Sequence, residues 1–235
     1  MISQLQRIFI TGTDTGVGKT ILSLLMLQFF FDRGFTPFYL KPLQTGVNDP
    51  YDTEGDAVFV YRNVRQLKDK DPAKSVIYCY KNPKAPYFAA RDEAREREIK
   101  LKRIIETLEE KCSVFSPVII EGAGGVLVPM DKDFLMIDLI RLTGARPVIA
   151  ARAGLGTINH TLLTLEALER RGLQPVGVVL MDSGKEPTPQ DMVEENMEAI
   201  EKYSGVKVAG VIGRITDFLK PDAGVYQPFE AFFGG

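Results

Sequence analysis

A glycine-rich segment that ends in a lysine and a threonine is the strongest chemical signal in this 235-residue chain. Residues 12–20 read Gly-Thr-Asp-Thr-Gly-Val-Gly-Lys-Thr, between an apolar run of strand length and one of helical length. This context predicts a phosphate-binding loop, because glycines let backbone N–H groups point inward and a helix N-terminus adds partial positive charge. Lys19 would then reach the β- and γ-phosphates, and the Thr20 hydroxyl would bind Mg²⁺. Five residues separate Gly12 from Gly18 instead of the usual four, so the loop is a variant.

Two acidic residues could hold a metal ion against that loop. Glu121 follows the apolar run 117–120 and opens Glu-Gly-Ala-Gly-Gly at 121–125. A carboxylate at a strand end beside a phosphate-binding loop is where nucleotide-hydrolysing enzymes hold their metal. Asp56 follows the acidic segment 49–55, for which a solvated surface loop is the default interpretation. With water and phosphate oxygens, Thr20, Asp56 and Glu121 would suit Mg²⁺.

Lys41 is a third candidate, at the end of a predicted strand. The segment 41–46, Lys-Pro-Leu-Gln-Thr-Gly, offers an ammonium group, the Thr45 hydroxyl and a flexible backbone. Spacing alone leaves two interpretations of Lys41 open, a solvated strand end or a functional cation.

Alternating apolar runs and helical patterns must position these groups. We expect strands at 7–11, 37–41, 76–80, 117–121, 147–151, 175–180 and 206–211, and helices at 21–33, 93–111, 157–171 and 189–203. Continuous apolar strands separated by helices predict an α/β fold with an open, mostly parallel sheet and helices on both faces. With no linker or repeat in view, we expect a single domain over 1–235. The segments 42–55, 81–92 and 216–235 read as long irregular loops, and those at the carboxyl ends of strands are candidate ligand-binding loops.

Composition excludes several functional classes. Lys and Arg number 29 against 31 Asp and Glu, a net charge of −2 that offers no general electrostatic case for binding nucleic acid or a membrane surface. Two cysteines and one histidine argue against a disulfide framework and a zinc site. The first residues lack a signal core, and the apolar stretch 21–31 is about half of the roughly 20 residues that a membrane span needs. We therefore expect a cytoplasmic protein.

Taken together, the motifs resemble those of the dethiobiotin synthetases. The resemblance rests on residues 12–20, 41–46, Asp56, 121–125 and the segment 154–160, Gly-Leu-Gly-Thr-Ile-Asn-His, which follow one another over nearly the whole chain. The first and fourth motifs are shared with partition ATPases and amide-forming ligases, whereas Lys-Pro-x-x-Thr-Gly and Gly-x-Ile-Asn-His are more discriminating. The resemblance implies a fold of the P-loop NTPase type, with ATP as co-substrate and Mg²⁺ as cofactor.

The family carboxylates 7,8-diaminononanoate with CO₂ and ATP and closes the cyclic urea of dethiobiotin. The resemblance implies that one amine captures CO₂ as a carbamate, that ATP phosphorylates the carbamate, and that the other amine then displaces phosphate. Lys19 and Lys41 would neutralise charge on the phosphoryl group and the carbamate. Thr45 would bind the carbamate or the diamine, with Thr15 beside it.

The resemblance further implies two sets of binding residues. The nucleotide set is Gly16, Val17, Gly18, Lys19, Thr20, Ile21, Asp56, Glu121, Gly122, Ala123, Gly124, Met181, Asp182, Thr216, Asp217 and Phe218. The diamine set is Thr15, Lys41, Thr45, Gly124, Gly156, Thr157, Ile158 and Asn159.

Within the diamine set, residues 156–159 begin a predicted helix whose free N–H groups suit the diamine's remote carboxylate. The family offers this helix across a homodimer interface, which implies a homodimer here. We expect His160, the next residue, to pack in the core.

Met181 departs from the family pattern, which usually has an asparagine that hydrogen-bonds adenine at this position. Methionine has no donor and packs against any base. We therefore expect modest discrimination among ATP, GTP and CTP, unless backbone groups near 213–218 read the base.

Two alternatives stay open at this point. One is another amide-forming or kinase-type P-loop enzyme, although the chain is too short to add a glutamine-using Cys–His domain. The other is a partition or division-site ATPase that acts as a nucleotide-gated dimer switch. Such switches usually carry a second lysine early in the loop, where this chain has Thr13, Asp14 and Thr15. They also need a basic DNA-binding patch or an amphipathic membrane helix.

Overall fold

A parallel β-sheet forms the centre of the molecule in the computed structural model, which describes residues 6–93, 98–184 and 186–234. Within these residues the strands are β1 (Arg7–Gly12), β2 (Phe38–Thr45), β3 (Val76–Tyr80), β4 (Val118–Gly125), β5 (Arg146–Arg152), β6 (Gly177–Met181) and β7 (Val208–Ile212). The seven strands pair in the order β3-β2-β4-β1-β5-β6-β7, and every adjacent pair is parallel. Each predicted strand is therefore confirmed, with the predicted bounds for β3 and shifted ends for the others.

Helices cover both faces of this sheet. They are α1 (Lys19–Asp32), α2 (Asp56–Asn63), α3 (Pro86–Glu93), α4 (Leu101–Cys112), α5 (Met136–Thr143), α6 (Thr157–Glu169), α7 (Gln190–Ser204) and α8 (Gln227–Phe233). Buried residues of α1, α2 and α8 form one core with Ile8 and Ile10 of β1, whereas those of α3 to α7 form a second core with Phe9. Because successive side chains of a strand point to opposite faces, this division confirms the predicted fold class.

The apolar stretch in α1 is explained by burial within the protein. Ten of its 14 residues are buried, so the helix is apolar on nearly all sides. By contrast, α4 buries only the stripe of Ile104, Leu108 and Cys112, spaced four residues apart. Among the described residues, no helix combines the length and the apolar character that a membrane crossing requires.

Strand β2 continues beyond the predicted end at Lys41 and runs through Pro42 to Thr45. Proline cannot donate to a sheet. The register with β4 ends at Leu40, and the register with β3 passes from Lys41 to Leu43, so Pro42 is paired on neither side. Strand β4 likewise continues beyond the predicted end at Glu121 and runs through the glycines to Gly125.

The helix predictions failed at one boundary and for the short helices. The helix predicted over 93–111 begins at Leu101, residues 94–97 lie outside the described part of the chain, and α3 occupies a segment expected to be irregular. The sequence also did not predict α2, α5 or α8. These are helices of seven or eight residues, which tertiary packing rather than intrinsic propensity must stabilise.

Candidate functional site

The predicted phosphate-binding loop links β1 to α1 at the carboxyl end of the sheet. Gly18 precedes α1 with a φ of +94°, a conformation that L side chains rarely adopt, and a Cβ there would lie 3.1–3.2 Å from Met181. Lys19 Nζ donates to the Asp14 carbonyl at 2.9 Å. The Thr13 amide donates to the Ala150 carbonyl of β5 at 3.1 Å. The loop is thus anchored to the sheet, and its lysine folds back over it.

A buried ion cluster lies beside this loop. Lys41 Nζ is 2.7 Å from Glu121 Oε1 and 2.7 Å from Asp56 Oδ2, and it donates to the Gly122 carbonyl at 3.1 Å. Lys41 and Glu121 are almost completely buried. The lysine that spacing left undecided is therefore a buried cation paired with both predicted metal-binding carboxylates.

Three separate elements bring this cluster together. Lys41 lies on β2 and Glu121 on β4, which are adjacent parallel strands. Asp56 begins α2, and its amide donates to Gln44 Oε1 at 3.2 Å. Thr20 Oγ1 lies 2.9 Å from Asp56 Oδ1 and 3.0 Å from Glu121 Oε1. The Thr20 hydroxyl therefore contacts both of the carboxylates with which it was predicted to hold a metal.

The charges of the cluster shift the pKa values of its members. Burial alone would lower the pKa of Lys41, but Glu121 and Asp56 outweigh burial and raise it. Burial and the nearby charge of Lys41 lower the pKa of Lys19 to about 8. Burial opposes ionisation of Asp56, but Lys41 holds the pKa of that carboxyl below its usual value. Lys41 thus stays charged at neutral pH, and two cations face one small space, an arrangement that favours a polyanion.

The donor set around Thr20 fits Mg²⁺. Mg²⁺ takes oxygen ligands in octahedral geometry, and proteins commonly supply one or two carboxylates while water and phosphate provide the rest. Thr20 supplies a hydroxyl in contact with the carboxylates of Asp56 and Glu121. The described residues contain no group of three or more His, Cys, Asp or Glu side chains placed to hold a metal ion. Three protein ligands would leave the remaining octahedral positions of Mg²⁺ to water and phosphate oxygens.

A cavity of about 650 Å³ opens onto the cluster. It is large enough for a small ligand, since such pockets span about 300–1,000 Å³. Many predicted binding residues line it: Thr15, Gly16, Gly18, Lys19, Thr20, Ile21, Lys41, Thr45, Asp56, Glu121, Ala123 and Gly124. The structure therefore brings the phosphate loop, the ion cluster and Thr45 into one space.

The other predicted nucleotide residues do not line this cavity. Val17 is buried, and Gly122 contributes its carbonyl to Lys41. Met181 is also buried, and its side chain packs beneath Gly18. Asp182 accepts from the Thr188 amide at 2.8 Å and hydroxyl at 3.0 Å.

The segment with Thr216, Asp217 and Phe218 also stands back from the cavity. The Phe218 ring packs edge-on against Phe59, with ring centroids 5.2 Å apart, and Phe59 lines the cavity. The Asp217 carboxylate accepts from the Leu219 amide at 2.8 Å. Of the three, Phe218 thus borders the site through Phe59.

The predicted helix start at Thr157 is confirmed, but residues 156–159 do not line the cavity beside the ion cluster. The early turns of α6 border a second cavity, of about 510 Å³, which also touches residues 13–15. His160 is exposed, so its expected place in the core is wrong. Helical periodicity explains this, because the buried face contains Thr157, Thr161 and Thr164 and turns His160 outward.

Sequence reasoning missed three polar residues that hold the acidic groups. Tyr39 donates to Glu121 Oε2 at 2.8 Å, Ser23 lies 3.0 Å from the same oxygen, and Gln44 accepts from the Asp56 amide. Tyr39 lies two residues before Lys41, and alternate strand residues share a face. That spacing could have identified it.

Solved structures similar to this one are ATPases of cell division and partition. The MinC:MinD cell division protein complex of Aquifex aeolicus matches with a TM-score of 0.60 at 15% identity, covering 97% of this chain and 96% of that one. MinD of Pyrococcus horikoshii, solved with Mg-ADP, matches with a TM-score of 0.55 at 15% identity over 94% of this chain and 91% of that one. At such low identity these similarities establish the fold alone.

Sequence comparisons are more specific. Residues 6–221 match the protein family described as AAA domain. The ATP-dependent dethiobiotin synthetase of Methanocaldococcus jannaschii is 37% identical over 90% of this chain and 95% of its own length. That of Methanococcus vannielii is 34% identical over the same shares, and that of Hydrogenobaculum is 38% identical over 81% of this chain and 86% of its own. The chain therefore belongs to the dethiobiotin synthetase family.

Proposed function

We propose that this chain carboxylates 7,8-diaminononanoate with CO₂ and closes it to dethiobiotin at the expense of ATP. The chain is an ATP-dependent ligase of biotin biosynthesis. One observation carries the residue assignment: Lys19 and Lys41 face the same cavity beside Thr20, Asp56 and Glu121. A site with two cations next to an oxygen-ligand cluster suits transfer of a phosphoryl group to an anionic acceptor.

The proposed roles follow from the charges and contacts of these residues. Lys19 would exchange the Asp14 carbonyl for phosphate oxygens, because a carbonyl is a weaker partner for an ammonium group than a phosphate anion is. Lys41 would neutralise charge as phosphate passes to the carbamate. Thr45 and Thr15, both on the cavity wall, would hold the diamine or its carbamate. Mg²⁺ bound by Thr20, Asp56 and Glu121 would screen the phosphate charge.

The nucleotide base would lie beyond this centre, towards β6 and the segment after β7. Met181 packs beneath the loop glycine, and Phe218 supports Phe59 on the cavity wall. We assign Met181, Asp182 and residues 216–218 to the surroundings of the base on the strength of these contacts and the family resemblance.

We further propose a cytoplasmic homodimer of single-domain subunits. The described residues share one sheet, which supports a single domain. Residues 156–159 do not line the cavity beside the ion cluster of their own chain, so a second copy would have to supply them to the diamine. Leu155 is 92% exposed, and Leu127 and Leu163 are exposed beside the second cavity. An apolar surface around α6 supports burial against another subunit.

The decisive experiment is to measure ATP turnover and dethiobiotin formation with and without 7,8-diaminononanoate and bicarbonate. We expect turnover that requires both, with one dethiobiotin formed per ADP. ATP turnover that needs neither would contradict the proposal and favour a partition-type switch. Turnover that needs a different amine or acid acceptor would point to another P-loop ligase.

A further inference from the structure

The two carboxylate oxygens of Glu121 have different surroundings. Oε1 lies 2.7 Å from Lys41 Nζ and 3.0 Å from Thr20 Oγ1, and both of these residues line the cavity beside the ion cluster. Oε2 lies 2.8 Å from the Tyr39 hydroxyl and 3.0 Å from Ser23 Oγ, and both of these side chains are completely buried. One oxygen therefore faces the site, while the other is held from the protein interior.

Of the two interior hydroxyl groups, that of Tyr39 is the stronger anchor for Glu121. A tyrosine or serine hydroxyl carries one proton, and an ionised carboxylate only accepts. Ser23 Oγ is also 2.9 Å from the Lys19 carbonyl, so its single proton is divided between two acceptors. Among the described residues, the Tyr39 hydroxyl has Glu121 Oε2 as its hydrogen-bond acceptor.

The backbone of Tyr39 is fixed relative to Glu121. Tyr39 pairs with Ile119, two residues before Glu121 on the neighbouring strand β4. Its carbonyl also accepts from the Ser75 hydroxyl at 2.7 Å. The sheet therefore holds the Tyr39 hydroxyl against Glu121 Oε2, with little freedom to move away.

We propose that Tyr39, assisted by Ser23, is a positioning residue that anchors Glu121 Oε2 and so presents Oε1 to the metal ion of the proposed reaction. The inference rests on the proposed metal role of Glu121. Groups that orient a metal ligand commonly contribute about 10–100-fold to metal affinity or activity. Without the anchor, the Glu121 carboxylate would rotate towards Lys41, and its alignment for a second cation would be lost.

The test is Mn²⁺ binding to the protein–ADP complex, followed by electron paramagnetic resonance with protein in excess over ADP. Tyr39→Phe removes one hydroxyl and retains the ring, and we expect Mn²⁺ to dissociate about tenfold more readily. ADP affinity without metal should stay unchanged, since the phosphate loop is untouched. Tyr78→Phe is the matched control, because it also removes a buried tyrosine hydroxyl, one that accepts from the Lys100 amide at 3.0 Å and is not bonded to Glu121.

The outcomes separate this inference from the proposed function. No ADP-dependent Mn²⁺ binding by the unmodified protein would contradict the proposed metal site itself. Binding by the unmodified protein, with Tyr39→Phe and Tyr78→Phe giving the same Mn²⁺ affinity, would overturn the role of Tyr39 alone. Where Tyr39→Phe does not fold, Ser23→Ala decides, with an expected loss of about threefold. Unmodified affinity in Ser23→Ala would then overturn the proposal.

Discussion

At the residue scale, Lys41 is a buried cation whose two anionic partners come from different elements. Glu121 and Asp56 raise its pKa, so it remains charged in a place where burial alone would favour the neutral form. A permanent charge at this position can stabilise a phosphoryl group in transfer without a change in protonation.

Replacement of Lys41 by glutamine should therefore nearly abolish ring closure while leaving ATP binding intact. Loss of one charge-stabilising donor costs about 10²–10³ in kcat. The measurement is kcat at saturating diamine, bicarbonate and ATP, together with ATP affinity. Lys132→Gln, at an exposed lysine, is the control. Thermal unfolding of both variants checks that the fold survives the loss of a buried ion pair, and unmodified turnover of Lys41→Gln would refute the assignment.

At the proposed base site, Met181 would limit what the protein can read from the nucleotide base. The side chain is packed beneath Gly18 and offers no donor. A neutral hydrogen bond contributes about 0.5–1.5 kcal/mol, which is up to about tenfold in affinity. We expect ATP, GTP and CTP to differ modestly in kcat/KM at saturating diamine and bicarbonate.

A preference for ATP of more than about 100-fold would contradict this expectation, because it exceeds what one missing amide can account for. The backbone of residues 213–218 would then be the part of the chain that reads the base.

At the element scale, the C-terminal helix α8 depends on a glycine at the start of β6. Phe229 and Phe233 of α8 are buried against α1, where they meet Phe29. The Phe232 ring lies directly over Gly177, and a Cβ at Gly177 would also be 2.7 Å from the Lys207 carbonyl. Backbone on one side and an aromatic ring on the other leave no room for a methyl group.

Gly177→Ala should therefore destabilise the protein. Overpacking of this kind costs about 1–3 kcal/mol of unfolding free energy. Urea denaturation would measure the change, with Gly213→Ala as the control, since a Cβ at Gly213 meets nothing within 4 Å. Equal stability of the two variants would show that α8 shifts freely on the sheet.

At the scale of the whole molecule, the proposed second subunit determines whether the diamine site is complete. Leu155 is exposed two residues before α6 begins, so a charge there should disrupt the proposed subunit contact. We expect Leu155→Glu to sediment as a monomer and to lose diamine turnover, while its ATP affinity stays unchanged because the phosphate loop lies within one chain. Val114→Glu is the control, as Val114 is 68% exposed in the connection between α4 and β4. A dimeric Leu155→Glu variant, or an unmodified protein that is a monomer, would contradict the proposal.

Elements with strong local signals were predictable without a structure. The strands and α1 are apolar over most of their length, and the phosphate loop is contiguous from Gly12 to Thr20, so both follow from neighbouring residues. The short helices α2, α5 and α8 carry no such signal. They form because Val60, Ile140 and Phe229 find a core to pack against, which local sequence does not reveal.

The sequence by itself determined the family and the types of residues that its chemistry needs, because the motifs are short and ordered along the chain. Only the tertiary structure decided how they meet. Strand β4 lies between β1 and β2, and this order brings Glu121 within 2.7 Å of a lysine 80 positions earlier in the chain. The contact of the Tyr39 hydroxyl with Glu121 likewise depends on strand order, and the outward direction of His160 depends on how α6 is oriented. Contacts between distant residues are set by how the layers pack, and that information is spread over the whole chain.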